Sequence, residues 1–541
     1  MKKAFIAGGL IAVSISATAL DLPSAVELEK LSRKDAMIPV APGKIGGGAP
    51  FWNIYARRFI YVPSFDFKSF KNAKSYRFTV IDAENKIHTF TAARPDEPLT
   101  AVWNDLPVGF TTVSVDALDA NGNVADNSGV RKFYRAAPFT GNYPPALRDY
   151  RESARWALKY VFEQKHIQDW LKTGKPSTSY KLYCYPSKII GSVIRGMIAY
   201  AKLSEKDSEN ALAIARKCAD YLISISEKAG TPLEYMPPTY MWKVHSSAEY
   251  AGQNMMIYPA NVGEAYLLLY DMVKDKKYLD AARRIADTYC KLQLPNGSWY
   301  LKLNQKDGSV VMGKKANGEI ADEPNYCMPS NIAIFLAKIG GVLNEEKYMI
   351  AAKHAEEYMT KIVLPSFNWE GQFEDQAPRP AYVNNTEHSA VRYAQYLLSQ
   401  KECSPKEIDT VRTLLRYSED QFVVWEKPMP RYPIFMSHSS DWLLPCVLEQ
   451  YEYYVPIDAS AAAMLKFYMA MHRKTGDVLD LAKAKALADA ITRGQDQESG
   501  RYLTYWENND RGKVAGWINC AMETAYRLME FSDYLDSLKK K

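Results

Sequence analysis

The sequence predicts a mainly α-helical protein, in which six helical hairpins close into a ring behind a small all-β domain. Three observations support this fold class. A helix-pair unit recurs from residue 146 onward, its second helix is far more apolar than its first, and residues 44–134 alternate with a period of two. The chain of 541 residues is also longer than a domain with a single ordinary hydrophobic core.

The first residues have the pattern of a secretory signal peptide, which we place at residues 1–19. Lys2 and Lys3 precede an apolar run that ends in small residues at Ala17-Thr18-Ala19. A second apolar segment long enough to cross a bilayer is not found, so we expect a periplasmic or secreted protein without a membrane span.

Composition narrows the range of partners. The chain is 47% hydrophobic and 24% charged with a formal net charge of +6, which is typical of an ordered globular protein and gives no support for a nucleic-acid partner. Its seven cysteines are scattered without paired spacing, which favours buried free thiols over a disulfide framework or a zinc site.

The β-domain is predicted over residues 44–136 and a linker over 137–145. SYRFTVID, KIHTFTA and TTVSVDALD are alternating segments separated by the turn signals DAEN, ARPDEP and DANGN. The phrases YRFTVID and LPVGFTTVSVDALDANGN resemble a fibronectin type III-like or immunoglobulin-like sandwich, which implies a structural or docking module.

Residues 146–541 contain the helical repeat. KKYLDAARRIADTYCKLQLPNGSWYLKL and EKYMIAAKHAEEYMTKIVLPSFNWEGQFED are two copies, each an amphipathic helix followed by a turn with Pro and Trp. The second helix of each pair is more apolar than the first. Six such helices begin in the segments YCYPSKIIGSVIRGMIAY, MIYPANVGEAYLLLYD, YCMPSNIAIFLAKI, AYVNNTEHSAVRYAQYLL, YVPIDASAAAMLKFYMAM and GWINCAMETAYRLMEF. Amphipathic outer helices around nearly apolar inner ones are the arrangement of an (α/α)6 toroid, with an open solenoid as the alternative.

This architecture and the NGSW turn at Asn296 to Trp299 resemble the six-hairpin toroid carbohydrate-active enzymes, a superfamily of glycoside hydrolases and polysaccharide lyases. The resemblance implies a funnel lined by the outer-to-inner loops and the first turns of the inner helices. It also implies a polysaccharide or oligosaccharide substrate, for which uronate-containing glycans are one option, and it requires no cofactor.

Glycoside hydrolysis requires two carboxyl groups. The segment WEGQFEDQAPRPAYVNNTEH offers Glu370, Glu374 and Asp375, and Asp458 begins a later inner helix. Asp322 and Glu323 are a further choice, and Asp458 has helix capping as an alternative role. Glu370, Glu374 and Asp375 also have a non-catalytic interpretation, as solvated loop carboxylates or as ion-pair partners of Arg379 and Arg392.

Substrate-binding candidates share aromatic or hydrogen-bonding side chains in the predicted loops. They are Tyr240, Trp242, His245, Tyr250, Asn254, Trp369, Tyr382, His388 and Trp517. Each has packing or internal hydrogen bonding as its structural alternative.

Two other functions remain open on the sequence. A polysaccharide lyase would use His or Tyr as a base and a cationic or amide group against the uronate carboxylate. His245, Tyr250, Asn254, His388, Arg431 and His438 fit those roles. A non-catalytic glycan-binding protein is the third hypothesis. GxSxG, Walker A and HExxH motifs are absent, the histidines have no metal-ligand spacing, and loop-bound calcium is left open.

Overall fold

The computed structural model of the protein describes residues 22–40, 56–241, 250–313, 319–367, 369, 372, 389–430, 441–449, 455–507 and 516–540. Helix α1 (Ala25–Ala36) comes first and is capped by Ser24, whose hydroxyl accepts the Glu27 N–H while Glu27 bonds back. A five-stranded sheet follows, and the regular structure described from Tyr150 onward is mainly helical.

The sheet confirms the three strands predicted from alternation. Its strands are β1 (Arg58–Phe59), β2 (Ser75–Ile81), β3 (Ile87–Ala92), β4 (Gly109–Leu118) and β5 (Val124–Arg135). They lie in the order β1-β5-β4-β2-β3, antiparallel except for the parallel pair β1 and β5. The DAEN and DANGN turns each use a left-handed residue, Asn85 (φ 65°) and Gly122 (φ 82°).

The expected sandwich is not shown, because the described residues of this region form one sheet. The buried face of the sheet is covered by irregular segments, which include 3-10 turns at Leu99–Ala101 and Trp103–Asp105. Phe59, Phe65 and Trp103 pack their rings against Phe133 of β5 at centroid distances of 5.5–6.0 Å. Aromatic loop residues therefore provide the covering layer that a second sheet was expected to provide.

The helical part consists of paired helices in chain order. They are α2 (Tyr150–Phe162), α3 (Lys165–Thr173), α4 (Pro186–Leu203), α5 (Ser208–Ile225), α6 (Tyr258–Val273), α7 (Lys276–Leu292), α8 (Ser330–Leu343), α9 (Glu346–Tyr358), α10 (Ser389–Ser399), α11 (Pro405–Phe422), α12 (Asp458–Thr475), α13 (Val478–Arg493) and α14 (Ile518–Lys539). Two small antiparallel pairs, Gln253–Met255 with Lys302–Asn304 and Val423–Val424 with Cys446–Val447, join loops at the helix ends.

The inner helices are α4, α6, α8, α10, α12 and α14, and they form a closed ring. Each packs against the next, and α14 returns to pack against α4. The closing contact is tight, since a Cβ built on Gly196 of α4 would lie 2.5 Å from Met522 of α14. The toroid is therefore closed, as the six aligned segments predicted.

Connections at the two ends of the ring differ in length. Several inner-to-outer turns reverse the chain through one left-handed residue, namely Lys274, Asn344 and Gly476. Outer-to-inner connections are long, and proline fixes the first turn of inner helices α4 and α6. The long loops and the first turns of the inner helices consequently share one end of the toroid.

The sheet and the toroid share a continuous hydrophobic core. Ile60 N–H donates to Asp420 Oδ1 at 2.6 Å, and Arg58 donates to the Asp420 and Val423 carbonyls. Asp35 of α1 pairs with Arg416 of α11 at 2.7 Å. These buried polar contacts fix the N-terminal region against the outer face of the ring.

The seven cysteines, all within the described residues, are free thiols, and five are buried. This confirms the prediction of free thiols without a disulfide framework. The described residues also contain no helix with the length and apolarity needed to cross a bilayer.

Candidate functional site: an axial pocket

A pocket lies on the axis of the ring and is lined by α4, α6, α10, α12 and α14. Its open space is about 930 Å³, part of which is continuous with bulk solvent. Aromatic and amide side chains line it together with charged ones. The first group is Tyr258, Trp517, Asn261, Gln395 and Asn519, and the second is Lys188, Arg195, Arg392, Lys466, Arg527, Glu449 and Glu523.

The polar lining comes from stripes at helical spacing. Lys188, Ser192 and Arg195 follow one face of α4, and Glu523 and Arg527 follow one face of α14. The expectation that inner helices are apolar all round is corrected here. A ring of six helices leaves axial space that side chains do not fill, so the faces toward the axis carry polar groups that can be hydrated.

At mid-helix depth the charged residues form what we call the floor cluster. Its members are Arg195, Glu264, Lys338, Lys466, Glu523, Arg527 and Glu530. Lys338 pairs with Glu264 between α8 and α6. Arg527 donates to Glu523 at 2.7 Å and to Glu530 at 2.6 Å, all on α14.

The floor cluster controls the ionisation of its carboxylates. Burial by itself would raise the pKa of Glu523, but the surrounding cations, Arg527 first, hold that pKa well below its usual range. Burial likewise opposes ionisation of Glu264, and Lys338 lowers the pKa of that carboxyl. Both carboxylates are therefore ionised at neutral pH.

Two cations of the floor cluster have no direct partner. Neither Arg195 nor Lys466 has a hydrogen bond or ion pair within the described residues, and the Arg195 Nε is buried without an acceptor. Burial, together with the nearby charge of Arg527, lowers the pKa of Lys466 to about 7. Lys466 is thus about half protonated near neutrality.

Asp458 is the one predicted catalytic residue within the described part of the chain. It occupies the first turn of α12, is 1% exposed, and faces α14 rather than lining the pocket, although its neighbour Ala459 does line it. Its Oδ2 accepts from Thr524 at 3.2 Å, and its Oδ1 has no partner. Burial raises the pKa of Asp458 to about 7. The side chain makes no N-cap hydrogen bond, because residue 457 occupies the cap position.

Tyr240 and Tyr250 are brought together beside the loop that precedes α6. Their rings stack at 5.3 Å, and the Lys302 ammonium lies 4.2 Å from the Tyr250 ring centroid. Tyr240 is only 3% exposed. Asn254 is fully buried, and its Oδ1 accepts from the Thr239 N–H at 2.8 Å, so it fixes the backbone of this loop.

The two predicted tryptophans within the described residues lie in different surroundings. Trp369 is fully buried and stacks on Tyr393 at 5.8 Å, away from the pocket. Trp517 lines the pocket and packs edge-to-face on Tyr505 at 5.7 Å. Among the predicted binding residues that the structure describes, Trp517 alone lines the axial pocket.

The remaining predicted site residues lie outside the described residues. They are Glu370, Glu374, Asp375, Trp242, His245, Tyr382 and His388, together with the lyase candidates Arg431 and His438. Asp322 and Glu323 are described, and neither lines the pocket.

Sequence reasoning missed most of the axial lining. Glu449, Glu523, Arg195, Lys466 and Arg527 were not among its candidates. The sequence did contain a signal for these residues, namely a basic or acidic residue on one face of an otherwise apolar helix. This signal becomes informative only when it is known that the inner helices turn these faces toward a common axis. Within the described residues, no group of three or more His, Cys, Asp or Glu side chains is placed to hold a metal ion.

Comparison with known proteins identifies similar folds but no family. The sequence matches no protein-family profile, and no curated protein matches it. Cellobiose 2-epimerase from Spirochaeta thermophila is similar over 73% of this chain and 100% of its own, at 13% identity and a TM-score of 0.49. A family 76 α-mannanase from Bacteroides thetaiotaomicron is similar over 72% and 98%, at 12% identity and a TM-score of 0.46.

Unsaturated glucuronyl hydrolase from Bacillus sp. GL1 is similar over 53% of this chain and 76% of its own, at 16% identity and a TM-score of 0.34. These three structures all have TM-scores below 0.5, so they assign this chain neither a family nor an activity.

Proposed function

We propose that the protein is a glycoside hydrolase that acts on a polysaccharide or its oligosaccharides in the axial pocket. The supporting observation is the composition of that pocket, where Tyr258 and Trp517 lie among amide side chains and the carboxyl groups of Glu449 and Glu523. Aromatic faces pack against the C–H faces of sugar rings, and amides bond sugar hydroxyls. Carboxyl groups provide the acid and base that hydrolysis needs.

In this proposal Glu523 acts as the permanently ionised carboxylate. Arg527 keeps it deprotonated, which suits a nucleophile or a carboxylate that stabilises positive charge developing on the sugar, because a carboxyl group with a depressed pKa is a weak general base. Glu449, on the wall just before α12, is a second carboxyl that sequence reasoning did not select.

The proton donor is drawn from the earlier candidates. Asp458 suits this role because a pKa near 7 leaves much of it protonated at neutral pH. Glu370, Glu374 and Asp375 suit it by position, because the segment that carries them leads directly into α10, whose Val391 and Arg392 line the pocket.

A lyase is the second candidate, and one observation favours it. β-Elimination on a uronate needs a base for the C5 proton and positive charge against the carboxylate. Lys466, with its pKa of about 7, provides a partly neutral amine in a pocket that also contains Arg195 and Arg392. His245, Tyr250 and His388 remain alternative bases.

We further propose that residues 1–19 export the protein to the periplasm or beyond, where polysaccharides occur. The protein recovered from the periplasm should then begin near Leu20. An N-terminus at Met1 on the mature protein would contradict export by this route.

The activity test uses the mature chain on a panel of neutral and uronate-containing polysaccharides. Reducing ends and the absorbance of unsaturated uronate are recorded together. Reducing ends without absorbance identify a hydrolase, and a parallel rise of both identifies a lyase. Saturable binding of a glycan without new chain ends contradicts both and supports a binding protein.

Variants then assign the carboxyl groups. Glu523→Gln, Glu449→Gln and Glu374→Gln should each lower turnover at least about a hundredfold if the residue is catalytic, as loss of one acid or base typically does. Glu346→Gln, on the exposed start of α9, is the matched control. Full activity in all three glutamine variants would overturn the assignment.

A further inference from the structure

The floor cluster has more positive than negative charge when all its members are ionised. Four cationic side chains face three carboxylates. The Lys338–Glu264 pair and the contacts of Arg527 with Glu523 and Glu530 use all three carboxylates in direct bonds. Arg195 and Lys466 are thus the two cations of the cluster without a direct partner.

The side chains of Arg195 and Lys466 are only partly exposed, and a partly desolvated cation without a partner carries a free-energy cost that an anionic ligand would relieve. Arg195 projects from α4 and Lys466 from α12, on the two inner helices that flank α14 in the ring. Both side chains line the pocket, and the Arg195 Nε is buried with no acceptor. Two donors from separate helices are therefore directed at the same axial space.

We propose that Arg195 and Lys466 form a specificity site that binds the carboxylate of an acidic sugar unit in the axial pocket. This inference rests on the proposed function, and it names the substrate class as uronate-containing glycans over neutral ones. A guanidinium offers a planar pair of N–H donors that matches a carboxylate, and an ammonium adds a point charge. Asn261, Gln395 and Asn519 around them bond the neutral hydroxyls of the same unit.

A single carboxylate fits the charge of the cluster. Bound next to Arg195 and Lys466, it would neutralise one of the positive charges that have no direct partner. Because an opposite charge nearby favours the ammonium form, binding raises the pKa of Lys466 from about 7 and draws in a proton. The groups that face Lys466 are Arg527, Glu523 and Glu530 from α14, Arg392 from α10 and Glu264 from α6.

The affinity for an acidic ligand should depend on pH through the charge of Lys466. Below pH 7 Lys466 is already charged and acidic ligands bind at full strength. As the pH rises through 7, the amine must first be protonated, so affinity for the acidic ligand falls while affinity for a neutral sugar does not change.

The test is calorimetric titration of the mature chain with matched oligosaccharides. Oligogalacturonate and oligomannuronate are the acidic probes, cello- and manno-oligosaccharides of equal length are the neutral ones, and inorganic sulfate tests for a general oxyanion site. Acidic oligomers should bind at least tenfold more tightly than neutral ones, the size of a charge-assisted hydrogen bond. Titrations in two buffers of different ionisation enthalpy should show proton uptake at about pH 7.5.

Variants localise the site. Arg195→Met and Lys466→Met should each reduce affinity for uronate oligomers about tenfold and leave affinity for neutral oligomers unchanged. Lys202→Met, an exposed position on α4, is the matched control. If the methionine variants do not fold, the Lys466→Arg variant tests the proposal instead. Because arginine is permanently charged, this variant should retain its affinity for uronate oligomers and lose both the pH dependence of binding and the proton uptake.

Several outcomes would overturn the proposal. They are equal affinity for acidic and neutral oligomers, unchanged uronate affinity in both methionine variants, and competition by millimolar sulfate as effective as that by the uronate oligomer. The proposed function fails separately. Tight uronate binding without new chain ends would reject the enzyme and retain the site, whereas cleavage of neutral glycans alone would reject the site and retain the enzyme.

Discussion

Arg527 donates its Nε to Glu523 at 2.7 Å and its Nη1 to Glu530 at 2.6 Å, so one guanidinium on α14 binds two carboxylates along the pocket axis. The arrangement keeps Glu523 ionised despite burial, because the attraction of the cations outweighs desolvation. Among these cations, Arg527 contributes most to keeping Glu523 ionised.

Replacement of Arg527 by methionine should raise the pKa of Glu523 and move the acidic limb of the pH–rate profile to higher pH. It should also lower the free energy of unfolding at pH 7 by about 1–3 kcal/mol, since two partly buried carboxylates lose a charged partner. A carboxyl group whose pKa is lower in the folded than in the unfolded state stabilises the folded protein at pH values above its unfolded-state pKa of 4.5. This contribution is lost as the pH falls toward the folded-state pKa. The stability difference from wild type should thus shrink below about pH 4.

Lys539→Met is the control, since Lys539 lies on the same helix in an exposed pair with Asp536. A pH–rate profile that is the same for Arg527→Met and wild type would show that Glu523 does not govern the acidic limb.

Asp458→Asn should stabilise the protein at alkaline pH and not at acidic pH. Burial raises the pKa of Asp458 from 3.8 to about 7, so the folded state retains a proton that the unfolded state releases between these values. Wild-type stability therefore falls as the pH rises through this window, by at most ~4 kcal/mol. Asparagine is neutral throughout and removes that penalty.

Thermal unfolding of both proteins at about pH 4 and about pH 8 checks this expectation. A constant difference across the window would show that Asp458 is ionised in the folded protein. Turnover provides a second measurement, because Asp458→Asn should be inactive if this carboxyl is the proton donor.

Lys483→Met should destabilise the protein by roughly 3–5 kcal/mol, because it leaves the Glu419 carboxylate buried without its cation. The Lys483 Nζ and the Glu419 Oε2 lie 2.8 Å apart and both side chains are at most 3% exposed. Glu419 also accepts from Trp425 and Tyr468. Denaturant unfolding measures the loss.

The exposed pair Lys361–Glu357, also at 2.8 Å, is the matched control, and Lys361→Met should cost less than ~0.5 kcal/mol. Similar losses for the two lysines would mean that burial does not strengthen the Glu419 pair. The double variant Lys483→Met/Glu419→Gln should recover part of the loss, because it removes the unpaired charge.

Gly297→Ala in the NGSW turn should cost at least ~1–3 kcal/mol. Gly297 has φ 91°, and a Cβ there would lie 2.2 Å from the carbonyl oxygen of His354. Gly341→Ala is the control, because Gly341 lies in α8 with open space around it, and alanine there should be neutral or stabilising by up to ~1 kcal/mol. Equal effects of the two substitutions on the free energy of unfolding would refute the strain argument.

The fold was largely predictable because it depends on local pattern. Helix pairs, the turn with Gly297 and the strands joined by turns at Asn85 and Gly122 follow from periodicity and turn chemistry, which act over a few residues. The sandwich was not predictable in this way, since the layer over Phe133 includes the loop aromatics Phe65 and Trp103, which follow no period.

The candidate site was predictable only in part. Trp517 was selected for its position before an inner helix, and the pocket includes it. Glu523 and Arg527 lie in the segment METAYRLMEF, where the charged residues look like ordinary helix-surface positions. Their common direction toward the axis depends on how α14 is rotated against α4 and α12.

The sequence by itself determined three strands of the sheet, the order of the helix pairs and the inner or outer place of each paired helix, because hydrophobic periodicity and caps act within a few turns of chain. Only the tertiary structure decided which charges meet. Closing six helices into a ring brings Arg195, Lys466 and Arg527 from three separate segments to one axis, where burial lowers the pKa of Lys466 to about 7 and where Arg195 and Lys466 have no direct partner among the described residues.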